Sequence, residues 1–139
     1  MRTAIDTNVI VALWSQEPLA SQARTVLNQS RAEGALVVSG PVFVELIAHP
    51  RADESFVQKF LHETDISVDF ELGQAAWNQA ATAFKHYAER HRQSGGGDAR
   101  RLLADFIIGA HALSMADRLL TADAKRYQTS FPTLQILPM

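Results

Sequence analysis

The sequence contains no cysteine, and it has no apolar run long enough to span a membrane. The missing cysteines exclude disulfide bonds and thiolate metal sites. The start of the chain has no signal-peptide pattern, because Arg2 leads directly into a strand-like stretch. Together these absences predict a protein of the cytoplasm, where cysteines stay reduced and disulfides are rare.

The sequence also lacks a strong excess of positive charge, since its formal net charge is −2. The charge is unevenly distributed, however, and eight of the thirteen Lys and Arg residues lie between Lys85 and Arg126. A segment of this kind is typical of a solvated protein surface. It is also what a surface that binds a polyanion requires, so both interpretations stay open.

Two further kinds of site are missing. The five histidines show no metal-ligand spacing, which excludes a histidine zinc site of the usual pattern. The glycine tract Ser94–Asp98 lacks the Gly-Lys-Ser/Thr ending of a phosphate-binding loop, so triphosphate binding is not expected. The tract is interpreted as a plain linker, with a lid over substrate as the alternative.

What the sequence does contain is a regular alternation of apolar strands and helical segments. Its 139 residues, 47% of them hydrophobic, fit one domain spanning residues 1–139. Strands are predicted at 2–5, 35–39, 66–68, 119–121 and 134–137, with helices between them. This alternation indicates an α/β fold with a central parallel sheet of four to five strands covered by helices on both faces. Trp14 and Trp77 are expected in its core.

Three acidic residues follow the ends of predicted strands. Asp6 ends the first strand, Glu45 lies about one and a half turns into the helix after the second strand, and Asp123 comes just after the fourth strand. In a parallel sheet, ligands bind beyond the carboxyl ends of the strands, so these acids point to one edge. Asp6 and Asp123 also have a simpler interpretation as helix caps. Glu45 stands on a helix whose apolar neighbours predict that it is largely covered.

A fourth acid, Asp105, lies on a helix that is apolar almost all round, and an unpaired charge buried there costs several kcal/mol. Arg101, four residues earlier, is one candidate partner. The alternative is that Asp105 faces a cleft shared with the other acids. Four carboxylates in one cleft repel each other and raise each other's pKa values. A hard divalent cation such as Mg²⁺ or Mn²⁺ relieves that conflict through oxygen ligands.

These motifs resemble the PIN domain, and most closely the VapC-like toxins of type II toxin-antitoxin systems. The resemblance is carried by Asp6-Thr7-Asn8, by Glu45, by the Ala-Asp-Phe-Ile-Ile-Gly-Ala-His-Ala run around Asp105, and by the Leu-Leu-Thr-Ala-Asp run ending at Asp123. It covers nearly the whole chain and implies a PIN-like three-layer α/β/α sandwich. It also implies that Asp6, Glu45, Asp105 and Asp123 bind the metal and act in catalysis, with Asn8 and Thr121 in support.

The same resemblance implies an endoribonuclease that depends on Mg²⁺ or Mn²⁺ and cuts structured RNA such as tRNA or rRNA. It further implies a homodimer that is inhibited by a cognate antitoxin protein. Basic residues near the acids are expected to contact RNA phosphates; they are Arg100, Arg101, Lys125 and Arg126.

Two other functions are weighed against the nuclease. One is a non-catalytic module that binds RNA or a partner on the same scaffold, and the full set of four acids argues against it. The other is aspartyl-phosphate chemistry at Asp6. A phosphatase of that kind needs a second aspartate at position 8, which is Asn8 here, and a receiver domain needs an acidic pair beside the first strand.

Overall fold

The computed structural model of the chain describes residues 1–16, 18–93 and 103–139. The glycine tract, Arg100 and Arg101 lie outside these described residues. The strands and helices follow the predicted alternation. In chain order they are β1 (Thr3–Ile5), α1 (Thr7–Leu13), α2 (Leu19–Glu33), β2 (Leu36–Ser39), α3 (Gly40–Ile47), α4 (Glu54–Glu63), β3 (Ile66–Asp69), α5 (Gln74–Gln93), α6 (Leu103–Met115), β4 (Arg118–Thr121), α7 (Ala124–Gln128) and β5 (Ile136–Pro138).

The five strands form one sheet in the order β3-β2-β1-β4-β5, and every neighbouring pair is parallel. Every residue of β1 and β2 is buried, which explains why these strands read as continuous apolar runs rather than as alternating ones. Helices flank the sheet, with α1 packed on α2 and α5 packed on α6. The predicted α/β sandwich with a parallel sheet is therefore confirmed.

The strand order reverses between β1 and β4. From β1 the chain adds β2 and β3 on one side, and it then returns to add β4 and β5 on the other side. The carboxyl ends of β1 and β4 therefore lie side by side at the point where the order changes. In open α/β sheets this is where ligands bind, because the connections leave the sheet in opposite directions and open a crevice.

Helix α6 is buried along its centre and carries Asp105 in its first turn. Its central residues from Ile108 to Ala112 are all buried. A Cβ atom at Gly109 would lie 2.4 Å from the ring of Phe131, so glycine at this position lets that ring pack directly against the helix. No helix among the described residues is both long and apolar enough to cross a bilayer.

Two sequence expectations about burial are wrong. Trp77 is 49% exposed rather than in the core, because α5 buries a stripe of small residues, Ala76, Ala80 and Ala83, and Trp77 lies outside it. Helix α3 is not largely covered either: it buries Val42 and Leu46 and leaves Glu45 exposed. Trp14 is partly buried and packs edge-on against Phe56 and Phe60, close to its expected place.

Candidate metal centre

Asp6 lies directly after β1 and is 2% exposed. Its Oδ1 accepts a hydrogen bond from the backbone N–H of Thr7 at 2.8 Å, so the residue does cap α1. Its Oδ2 accepts two more, from the hydroxyls of Thr121 and Tyr127, each at 2.8 Å. A cap alone needs one of these contacts. The other two fix the carboxylate in one orientation at the edge of the sheet.

Asn8 and Thr121 connect the first turn of α1 to the end of β4. The Asn8 amide donates to Thr121 Oγ1 at 3.4 Å, and its Oδ1 accepts from the backbone N–H of Ala122 at 3.1 Å. Thr121 Oγ1 also accepts from the backbone N–H of Asp123 at 3.0 Å. The structure therefore places both residues, expected from the sequence to play supporting roles, in one network that links Asp6 to the backbone of Asp123.

Glu45 joins this network from α3. Its Oε1 accepts a 2.7 Å hydrogen bond from the hydroxyl of Thr7, the residue that follows Asp6. Thr7 therefore holds two acids in register, since its backbone N–H contacts Asp6 and its side chain contacts Glu45. Glu45 itself is exposed, so it is the solvent-accessible member of this pair of acids.

Asp105 and Asp123 share one arginine. Arg126 on α7 places Nη1 at 3.5 Å from Asp105 Oδ1 and Nη2 at 3.2 Å from Asp123 Oδ2. Asp123 precedes α7 but makes no side-chain cap hydrogen bond there, so its side chain is not used as a cap. Arg101, considered from sequence as the partner of Asp105, lies outside the described residues.

The charge of this cluster is visible in the pKa of Asp105, which is raised to about 6. Burial is the largest cause, and the charge of Arg126 opposes it. The carboxylates of Asp6, Glu45 and Asp123 each raise this pKa further. All four acids therefore act within one electrostatic environment, which the single arginine does not neutralise.

Tyr127 was missed by the sequence analysis. Nothing in the local sequence indicates that its phenol contacts a residue 121 positions earlier in the chain. The usable signal is chemical: a tyrosine buried in a polar turn needs a partner for its hydroxyl. Burial together with the charges of Asp6 and Asp105 raises the pKa of Tyr127 well above its usual value, so the phenol stays a hydrogen-bond donor.

The donor set fits a hard divalent cation by its chemistry, because every side chain in it offers carboxylate oxygen. Within residues 1–16, 18–93 and 103–139, however, no three His, Asp or Glu side chains converge closely enough to hold one ion. Oxygens of Asp6, Asp105 and Asp123 have protein partners instead. The oxygens of Asp6 accept three hydrogen bonds, and Arg126 pairs with both Asp105 and Asp123.

The family model of the PIN domain matches residues 3–132. The chain belongs to the PIN domain family. Membership implies a nuclease as the general class of activity. Comparison with curated protein sequences gives no match.

Two solved structures are similar over nearly the whole chain. One is VapBC-1 from nontypeable Haemophilus influenzae, with a TM-score of 0.66 and 21% identity over 99% of this chain and 98% of that one. The other is VapBC2 from Rickettsia felis bound to a DNA fragment from their promoter, with a TM-score of 0.65 and 17% identity over 100% and 99%. At these identities the likeness establishes a shared fold.

Proposed function

We propose that this PIN-domain chain is a metal-dependent endoribonuclease acting in the cytoplasm as the toxin of a type II toxin-antitoxin pair. Residues 1–139 form its one PIN-like unit, and its substrate is structured RNA such as tRNA or rRNA. The observation that carries the proposal is the network of contacts at the switch point of the sheet: Thr7 links Asp6 to Glu45, Thr121 links Asp6 to Asp123, and Arg126 links Asp123 to Asp105. Such a cluster suits a site completed by Mg²⁺ or Mn²⁺.

Each acid has a defined task in this proposal. Asp6, Glu45, Asp105 and Asp123 would hold the cation, and a bound cation supplies Lewis acidity toward phosphoryl oxygen and lowers the pKa of water. Thr121, Tyr127 and the backbone of Thr7 keep Asp6 aimed at the cluster. Supporting hydrogen bonds of this kind orient ligands and tune their basicity.

The basic residues beside the acids would contact the RNA backbone. Lys125 and Arg126 lie on α7, immediately after Asp123, so they can hold phosphates that flank the acidic cluster. For Arg126 this means exchanging its two ion pairs with Asp105 and Asp123 for a phosphate once a cation neutralises those acids. Arg100 and Arg101 stay in the proposal as further phosphate contacts and lie outside the described residues.

The proposed partner is a cognate antitoxin. It is supported by the two similar structures, which are VapBC assemblies. A homodimer of this chain is proposed as well. Both follow from the resemblance to VapC-like toxins rather than from contacts of this chain.

The second candidate function is a non-catalytic module that binds RNA or a partner. One observation favours it: among the described residues, no three acids converge on one point. A cleavage assay separates the two. Purified protein free of antitoxin is incubated with cellular tRNA and rRNA in Mg²⁺ or Mn²⁺, alongside Asp6→Asn.

The nuclease proposal expects discrete cuts by the wild type that Asp6→Asn no longer makes. RNA that is bound but left intact by both proteins would support the module instead. Brief expression in cells gives a second readout, with growth arrest by the wild type and relief of that arrest by Asp105→Ala. Equal arrest by both forms would count against cleavage as its cause.

A further inference from the structure

A cavity of about 330 Å³ opens beside the acidic cluster. Asp105 and Arg126 line it, and both also belong to the cluster. The cavity and the candidate metal centre are therefore adjacent and share a wall. Its volume is at the lower end of the range of pockets that enclose small organic ligands.

One side of the cavity is aromatic. Tyr87 from α5, Phe106 from α6 and Phe131 line it, with ring centroids 5.4 Å apart for Tyr87 and Phe106 and 6.4 Å apart for Phe106 and Phe131. Phe106 and Phe131 are each 4% exposed, so their rings are fixed by the core, and Tyr87 is partly exposed. Tyr87 also stacks on His91, with ring centroids 5.2 Å apart. Because unpaired nucleic-acid bases stack on aromatic side chains that they can reach, Tyr87 is the ring of these three on which a base could stack.

The remainder of the cavity is polar and mostly basic. Arg90, Lys125 and Arg126 contribute three cations to its lining, although the whole chain carries a formal net charge of −2. Thr129 and Ser130 add two hydroxyls, which can donate to or accept from the edge of a base. The aromatic rings, the cations and the hydroxyls respectively suit the face of a nucleotide's base, its phosphate and the hydrogen-bonding edge of the same base.

We propose that this cavity binds one unpaired nucleotide of the RNA, adjacent to the phosphate that lies at the acidic cluster. The base packs against the aromatic side, and Arg90 and Lys125 hold the phosphate of the same nucleotide. A base inside a duplex is stacked and paired and cannot enter such a cavity. Tyr87 and Arg90 are therefore expected to help determine which unpaired nucleotide lies next to the acids, an inference that rests on the proposed nuclease function.

The test measures binding separately from cleavage. All proteins carry Asp6→Asn so that the RNA stays intact, and the probe is a single-stranded RNA oligonucleotide with one 2-aminopurine, whose fluorescence falls when it stacks. The parent is expected to quench the probe and to bind it more tightly than the matched duplex. Tyr87→Leu should weaken binding about five- to a hundredfold and reduce the quenching, while Tyr87→Phe, which keeps the ring, should leave both unchanged.

A charge variant serves where Tyr87→Leu disturbs folding. Arg90→Gln should lower the slope of log Kd against log salt by about 0.7, as expected for one lost phosphate contact on a single strand. Arg92→Gln is the matched control, because it removes an exposed arginine from the same helix that does not line the cavity. Its slope and affinity should equal those of the parent.

Three results would each overturn the proposal. The first is equal binding of the probe by Tyr87→Leu, Arg90→Gln and the parent, and the second is equal affinity of the parent for duplex and single-stranded RNA. The third is equal affinity for a polyglutamate of the same length, which would indicate a merely basic surface. These outcomes are independent of the nuclease assay. RNA that is cut by the wild type without any dependence on Tyr87 or Arg90 removes the cavity proposal alone. Dependent binding without any cleavage by the wild type removes the nuclease alone.

Discussion

Two aspartates of this protein, Asp69 and Asp105, have pKa values that are shifted in opposite directions. Asp69 ends β3 and accepts from Arg2 Nη2 at 2.9 and 2.8 Å and contacts His111 Nε2 at 2.7 Å. Burial acts to raise the pKa of Asp69, but the hydrogen bonds and charges of His111 and Arg2 outweigh it, and the pKa is lowered. Asp105 has one arginine at 3.5 Å and three acidic neighbours, and its pKa is raised to about 6.

The comparison separates a carboxylate whose charge the fold compensates from one whose charge it compensates only in part. At Asp69 the chain supplies its own counter-charge, so the site is complete as folded. Beyond the carboxyl ends of β1 and β4 there are four carboxylates, and Arg126 forms ion pairs with two of them, Asp105 and Asp123. A perturbed carboxylate in a cleft, held at a cost to stability, is the pattern expected of a functional site. Among the residues that the structure describes, the negative charge is therefore only partly compensated where the cation is proposed to bind.

The largest expected effect is on RNA cleavage. Asp105→Asn should reduce cleavage in Mn²⁺ by about a hundred- to a thousandfold, because it removes one of the charges that would hold the cation. The matched variant Asp69→Asn should stay within about threefold of the wild type when both are assayed well below their melting temperatures. Similar losses in both variants would erase the distinction between the two sites.

A supporting contact should have a smaller effect. Tyr127→Phe removes one hydrogen bond to Asp6 while keeping the ring, and it should lower Mn²⁺ affinity or cleavage about ten- to a hundredfold. Tyr87→Phe removes a phenol outside this network and serves as the control. If Tyr127→Phe cuts RNA and binds Mn²⁺ as the wild type does, the orientation of Asp6 does not depend on this phenol.

The two neighbouring basic residues of α7, Lys125 and Arg126, should affect Mn²⁺ affinity to different extents. Arg126→Gln removes the charge that competes for Asp105 and Asp123, so Mn²⁺ affinity measured by calorimetry should rise about two- to tenfold. Lys125→Gln, at the neighbouring position, should change the Mn²⁺ affinity less, because among the described residues the ion pairs of Asp105 and Asp123 are made by Arg126. A lower Mn²⁺ affinity in Arg126→Gln would mean that this arginine helps to organise the acids.

The smallest effects, on folding stability, should have opposite signs. In chelator at pH 7, Asp69→Asn should lower the free energy of unfolding by about 1 kcal/mol, because charge-assisted hydrogen bonds become neutral ones. Asp105→Asn should raise it by about 1 kcal/mol, because an ionised carboxylate is disfavoured there. Urea unfolding of both variants measures the difference, and a loss of stability in Asp105→Asn would contradict the account.

The Asp69 difference should also depend on pH with a definite sign. A lowered pKa in the folded state contributes stability that is fully present above the unfolded value of 3.8. That stability is lost as the pH falls through the lower folded pKa. The Asp69 carboxyl should therefore cause the gap between wild type and Asp69→Asn to close only below pH 3.8. Closure at a higher pH would assign the gap to another group, and its partner His111 would be the first to test.

Much of the fold was predictable because its signals are local. Strands buried on both faces read as apolar runs, and Asp6, Asp105 and Asp123 stand out because an acid interrupts or follows such a run. What could not be predicted depends on distant partners. Tyr127 meets Asp6 across 121 positions, and His111 meets Asp69 across 42 positions.

The exposure of Trp77 could not be predicted from the sequence either. Periodicity marks several helix positions as apolar, and packing against α6 decides that the small stripe of Ala76, Ala80 and Ala83 is the buried one. The ion pairs of Arg126 were hidden in the same way: the sequence marks the residue as basic, and only the fold brings Asp105 beside Asp123.

Calorimetric titration of Mn²⁺ into the wild type, Asp69→Asn and Asp105→Asn tests most directly whether the four acids form one cation site. The account expects saturable uptake by the wild type and by Asp69→Asn, and uptake weakened at least tenfold in Asp105→Asn. Uptake that is equal in all three proteins, or absent from the wild type while it is folded and bound to RNA, would contradict it.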